Sequence, residues 1–150
     1  MSVQKMPEGF ATITPSLNID GAAKAIELYK KALGATELYK MEMPGTNKVM
    51  HACLQIGSSK IFLADTNPQM CPNPSSSSFY LYMDDVDASF KKAVAAGMQG
   101  KFEPQDMFWG DRTGTVSDSF GTMWTIATHV RDVSPQEMAE GQKKFASKAA

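Results

Sequence analysis

The chain has 150 residues, 43% of them hydrophobic, with 15 basic and 16 acidic residues and a formal net charge of −1. That composition suits a compact chain with a real core and excludes a disordered tail or a fibre. The balanced, dispersed charge leaves no footprint for nucleic acid or an acidic membrane surface. The opening residues, Met1 to Gly9, lack the apolar stretch of a signal peptide, and no later run is long enough to span a bilayer. Cys53 and Cys71 sit in unlike contexts without a second ligand at metal spacing, so the expected compartment is reducing and cytoplasmic.

Phe10 to Ile19 reads as a strand, with Ile13, Leu17 and Ile19 on one face and Thr12, Thr14, Ser16 and Asn18 on the other. Asp20 is placed to cap a helix whose apolar stripe is Ala22, Ala25, Ile26, Tyr29 and Leu33, ended by Gly34. Strands follow at Thr36 to Met43, Val49 to Ile56 and Lys60 to Asp65, separated by Pro-Gly and Gly-Ser turns. The proline- and serine-rich stretch that follows fits neither a central strand nor a helix interior.

The plan then repeats. Ser78 to Met83 is a strand, Asp84 or Asp85 caps a helix carrying Val86, Phe90, Ala93 and Val94, and Gly97 ends it. Strands are expected around Gly100 to Glu103, Gly114 to Asp118 and Met123 to Val130, the last two joined at Ser119-Phe120-Gly121. Ser134-Pro135-Gln136-Glu137 has a cap residue, proline at the first helical position and glutamate at the third, so a peripheral terminal helix should run towards Ala146. The fold class is α+β: two βαβββ modules, residues 7–66 and 78–131, joined by a linker at 67–77 and followed by a helical tail at 132–150. The two modules are expected to form curved mixed or antiparallel sheets around a cup.

A sheet that buries its apolar face under helices must point its alternate residues the other way. This selects Thr14, Ser16 and Asn18, then His51, Cys53 and Gln55, in the first module. In the second it selects Ser78, Tyr80 and Tyr82, then Met123, Thr125, Ala127 and His129. Any single Thr or Ser here also fits a merely solvated face; the set carries the argument. Imidazole is the side-chain type suited to general-base work, so His51 could act as one, although an isolated histidine more often only makes structural hydrogen bonds.

Several runs resemble PhnB-like proteins of the vicinal-oxygen-chelate superfamily, the glyoxalase/bleomycin-resistance/dioxygenase group. They are Ile13 to Leu17 with Ala22 to Ala35, Val49 to Ala52, Asp84 to Asp87, Phe108 to Arg112, Asp118 to Gly121 and Trp124 to Val130. In metal-dependent relatives four strands each supply a His, Gln or Glu to a divalent metal. The resemblance places three of those slots at Thr14, Ser78 and Thr125 and the fourth near Leu63 or Ala64, with Asp65 just beyond. Hydroxyls with one carboxylate do not make a three-ligand site, so no metal and no other cofactor is expected. Tyr80 stands where relatives often show histidine, and Ser119 and Thr122 where proline and histidine are frequent. No glycine-rich nucleotide-binding turn supports the methyltransferase label that this branch carries.

Two functional classes follow. The first is sequestration of a small, partly aromatic ligand, with Tyr80, Tyr82, Phe108 and Trp109 as stacking surfaces and Arg112 as an anion partner. Phe108 and Trp109 fit a core cover equally well, and Arg112 fits a surface ion pair. The second is a metal-independent isomerase, epimerase or lyase using His51 as base, with Arg112 or Tyr80 steadying negative charge. Cys53 as nucleophile is the weaker option, since no histidine is adjacent in sequence. The ligand contacts expected are Thr14, Ser16, His51, Cys53, Gln55, Ser78, Tyr80, Trp109, Arg112 and Thr125. The resemblance implies a homodimer, for which exposed sheet edges supply a physical motive.

Overall fold

The structure, a computed structural model, describes residues 2–149, with side chains through residue 148. The chain divides into two compact units, Met1–Ser77 with Ser119–Thr122, and Ser78–Asp118 with Met123–Ala150. It is an α+β protein with two four-stranded mixed sheets and a C-terminal helix. Among the described residues no helix is long and apolar enough to cross a membrane.

The first unit runs β1 (Ser16–Ile19), α1 (Ala22–Leu33), β2 (Thr36–Glu42), β3 (Val49–Ile56) and β4 (Ser59–Asp65). Its sheet has the order β1-β4-β3-β2; β1 is parallel to β4 and the other pairs are antiparallel. The stripe read from the sequence of α1 is the buried one: Ala22, Ala25, Ile26, Tyr29 and Leu33 are all buried, as are Leu17, Ile19, Leu54, Ile56 and Leu63 of the sheet. Gly34 ends α1 in the left-handed region at φ 67°, its amide donating to the Tyr29 carbonyl.

Two local expectations fail here. The first strand starts at Ser16, not Phe10, and Ile13 is 82% exposed. Pro15 has no N–H to give a ladder, and pairing with β4 is registered only from Ser16 opposite Phe62. Nor does Asp20 cap α1. Gly21 turns the chain at φ 91°, Asp20 accepts from the Thr66 hydroxyl, and Asp65 Oδ1 takes the amides of Gly21 and Ala22 at 2.9 and 3.1 Å. Asp65 Oδ2 takes the Val49 amide at 2.7 Å, so one carboxylate at the end of β4 ties the start of α1 to the start of β3. Beyond it Asn67 and Cys71 pair through their backbones, and Asn67 Oδ1 accepts from Gln69 and Met70.

The second unit runs β5 (Ser77–Tyr82), α2 (Val86–Ala95), β6 (Gln99–Asp106), β7 (Asp111–Ser117), β8 (Thr122–His129) and α3 (Pro135–Ala149), in sheet order β5-β8-β7-β6. Asp85 caps α2 by accepting from the Ala88 amide at 3.1 Å. Phe90 of α2 lies against Gly100 and Gly114, where an added Cβ would stand 3.1 Å from Phe90 Cζ and 2.9 Å from Phe90 Cδ2. The capping box of α3 forms as read: the Glu137 amide donates to Ser134 Oγ at 3.1 Å. Strand β7 begins three residues before the sequence reading placed it, at Asp111 instead of Gly114. That difference decides what the site contains.

Candidate functional site

In the second unit the register of β7 against β8 sorts the side chains. Asp111 pairs with His129, Thr113 with Ala127 and Thr115 with Thr125, whereas Arg112, Gly114 and Val116 alternate with them opposite Thr128, Ile126 and Trp124. The second set faces α2, since Gly114 lies under Phe90 and Arg112 reaches Asp87. The first set therefore lies on the face away from the helix. Tyr80 and Tyr82 of β5 reach the same side, and Ser78, two residues earlier, shares their parity.

Asp111 is the centre of this face, with 3% of its surface exposed. Its carboxylate accepts from Tyr80 Oη at 2.6 Å, Tyr82 Oη at 3.0 Å and His129 Nδ1 at 2.7 Å. Tyr80 Oη in turn accepts from Trp109 Nε1 at 3.1 Å, and His129 Nε2 meets Asp132 at 2.9 Å. Burial alone would raise the Asp111 pKa, but the hydrogen bonds from Tyr80, His129 and Tyr82 outweigh it and hold the carboxyl below its ordinary value. Tyr80 is pushed up to about 12, first by burial and then by donating to Asp111. His129 is raised by its hydrogen bonds to Asp132 and Asp111.

The chemical consequence is saturation. Asp111 has three donors on two oxygens, and the carboxylates of Asp111 and Asp132, one at each ring nitrogen, favour the protonated form of His129 and engage both nitrogens. The ring of Tyr80 packs edge-on to Tyr82 at 5.3 Å, and Phe108 edge-on to Trp109 at 5.0 Å. Tyr80 and Tyr82 remain 45% and 62% exposed, so the face offers aromatic surface over a closed polar network. Thr125 exchanges a hydrogen bond with Thr115 at 3.2 Å.

Arg112 does not belong to this face. It donates from Nε and Nη2 to the two oxygens of Asp87 at 2.9 and 3.0 Å and from Nη1 to Asp106 at 3.2 Å. Strand parity sends Arg112 to the helix side, and the bidentate pair raises the arginine while drawing Asp87 below its ordinary value.

In the first unit one row crosses the sheet: Ser16 pairs with Phe62, Phe62 with Cys53 and Cys53 with Tyr39. His51 and Gln55 flank Cys53 at the same parity. His51 Nε2 lies 2.9 Å from Tyr39 Oη and its ring 4.8 Å from that of Phe62. Gln55 Nε2 is spent on the Gly57 carbonyl at 3.0 Å. Cys53 has no exposed surface and burial raises its thiol pKa, so it presents nothing to a ligand and is poor as a nucleophile. Thr14 precedes β1, half-buried in non-strand backbone, and so is not one of the row.

The donor set does not fit a chelated divalent ion. The three slots that the family resemblance points to hold hydroxyls, Leu63 is fully buried and apolar, and both oxygens of Asp65 are committed to backbone amides. Among the described residues no group of three or more His, Cys, Asp or Glu is arranged to hold a metal ion.

Asp111 and His129 are the residues that sequence reasoning left out of the site. His129 was in the alternating set of the last strand; a strand begun at Asp111 would have brought its partner onto the same face.

Two mixed four-stranded sheets, with hydroxyls and tyrosines facing away from the helices, define the class. The chain belongs to the Glyoxalase/Bleomycin resistance protein/Dioxygenase superfamily, whose family model matches residues 10–126. An uncharacterised protein of Mycobacterium bovis is 37% identical over 135 residues, covering 84% of this chain and 88% of that protein. Among solved structures, TioX from Micromonospora superimposes with a TM-score of 0.68 at 22% identity, over 80% of this chain and 99% of that one. A PhnB protein from Bacillus cereus gives 0.59 at 16%, over 79% and 99%. At those identities the solved structures attest the fold.

Proposed function

We propose that this chain is a PhnB-like protein that binds and sequesters a small planar molecule without transforming it. The observation that supports this reading most is the closed network around Asp111: its proton donors and acceptors are used up internally, leaving Tyr80, Tyr82 and Trp109 as a stacking surface with Ser78 and Thr125 as hydrogen-bonding neighbours. In the first unit Ser16, His51 and Gln55 are ligand contacts in their own right. The contact of His51 with the Tyr39 hydroxyl favours a second reading, a metal-independent isomerase, epimerase or lyase with His51 as base. Association into a homodimer in the cytoplasm completes the proposal.

The test is native mass spectrometry of untreated protein, with ligand released by denaturation and then titrated back. Retained ligand that the wild type leaves unchanged and that Tyr80→Ala loses supports sequestration. Turnover of that ligand by the wild type, abolished in His51→Ala while binding survives, selects the enzyme. Stoichiometric divalent metal would overturn both.

A further inference from the structure

The expectations above leave α3 as a peripheral tail, yet one of its faces is fitted to the segment that joins β6 to β7. The fit is made at Gly141, in the middle of the helix. A Cβ there would stand 2.5 Å from Phe108 Cβ and 2.8 Å from Phe108 Cγ, so no larger residue is accommodated. Glycine inside a helix is unfavourable relative to alanine, and close approach to Phe108 is what the position gains in return. One turn further on, Phe145 meets the Phe108 ring with centroids 5.7 Å apart while remaining 52% exposed.

Between these elements lies a cavity of about 490 Å³ with Phe108 and Phe145 in its wall and Lys144 and Lys148 lining it from α3. The two lysines are four residues apart and so share one side of the helix. Among the described residues neither has a carboxylate within ion-pair distance. Asp106, the acidic side chain of the lining, is already held by Arg112. The cavity therefore combines apolar rings with two lysines against one carboxylate, an excess of positive charge, and its volume lies within the roughly 300–1,000 Å³ typical of small-molecule sites.

We infer that this cavity is a second ligand site, separate from the Tyr80 face, for an amphipathic organic anion. The apolar body rests on Phe108 and Phe145, and a single carboxylate, sulfonate or phosphate lies between Lys144 and Lys148. The aromatic contact supplies most of the attraction, and the two ammonium groups select charge.

The probe is anilinonaphthalene sulfonate, followed by its own fluorescence on the full chain, with uncharged N-phenylnaphthylamine as the matched control. Wild type should bind the sulfonate saturably at one site, more weakly as salt is raised. The double variant Lys144→Ala, Lys148→Ala, altered only at exposed positions, should weaken the sulfonate roughly tenfold through loss of two partly exposed charge contacts. It should leave the neutral probe nearly unchanged. Phe145→Ala should weaken both probes, and Tyr80→Ala neither. The inference is overturned if the lysine variant binds the sulfonate as wild type does, or if Tyr80→Ala removes binding that the α3 variants retain.

Discussion

Asp111 keeps its negative charge at a nearly inaccessible position because three donors replace the water it gave up. Asp111→Asn keeps the shape but turns one acceptor into a donor facing donors, and should lower stability by about 1–3 kcal/mol in urea unfolding. The two ends of the network respond to pH with opposite sign. Asp111 lies below the ordinary 3.8, so its contribution is present above that value and is lost as pH falls through the lower folded value. His129 is raised above 6.5, so its contribution is complete below that value and is lost as pH climbs through the higher folded one. Urea midpoints measured from neutral to mildly alkaline pH should therefore decline in the wild type. His129→Gln should flatten that decline; an unchanged slope would sink the assignment. An NMR titration of His129 should give a midpoint above that of an ordinary histidine, shifted downward by Asp111→Asn.

Asp65 does at the level of elements what Asp111 does at the level of residues. Its two oxygens hold the first amides of α1 and the first amide of β3, so Asp65→Ala releases a helix cap and a strand anchor together. The expected loss is about 1–3 kcal/mol. Asp65→Asn, which keeps one carbonyl oxygen for Gly21 and Ala22 but turns an NH2 toward the Val49 amide, should cost less, and the difference between the two urea midpoints measures the helix cap. On the other unit, α2 lies on its sheet through the flat spot that Gly100 and Gly114 leave for Phe90. Gly114→Val adds bulk where Phe90 and Pro104 already stand within 3.0 Å, and overpacking should cost about 1–3 kcal/mol in the same assay. The elements themselves were legible in the chain, because helix stripes, caps and turn residues act over a few positions. The apolar stripe of α1, the Asp85 cap and the Ser134–Glu137 box stand where the sequence put them. Ile13 and Asp20 did not follow the local rules: a strand needs a partner, and a cap can come from a carboxylate 44 residues away.

For the whole molecule, the donor chemistry predicts indifference to divalent metal. Incubation with zinc, nickel or manganese should leave the thermal unfolding midpoint unchanged, and metal analysis after desalting should find a substoichiometric amount; a rise in the midpoint with one metal bound per chain would contradict it. By itself the sequence determined the α+β plan, the duplicated order of elements and the terminal helix. All of these depend on residue type and near-neighbour spacing. Only the tertiary structure decided that Arg112 faces Asp87 while Asp111 faces His129, and that Asp65 is spent on backbone amides. It also brought Gly141 and Phe145 to Phe108. Those pairings join residues far apart in the chain through strand register, and a shift of one residue sends a side chain to the opposite face.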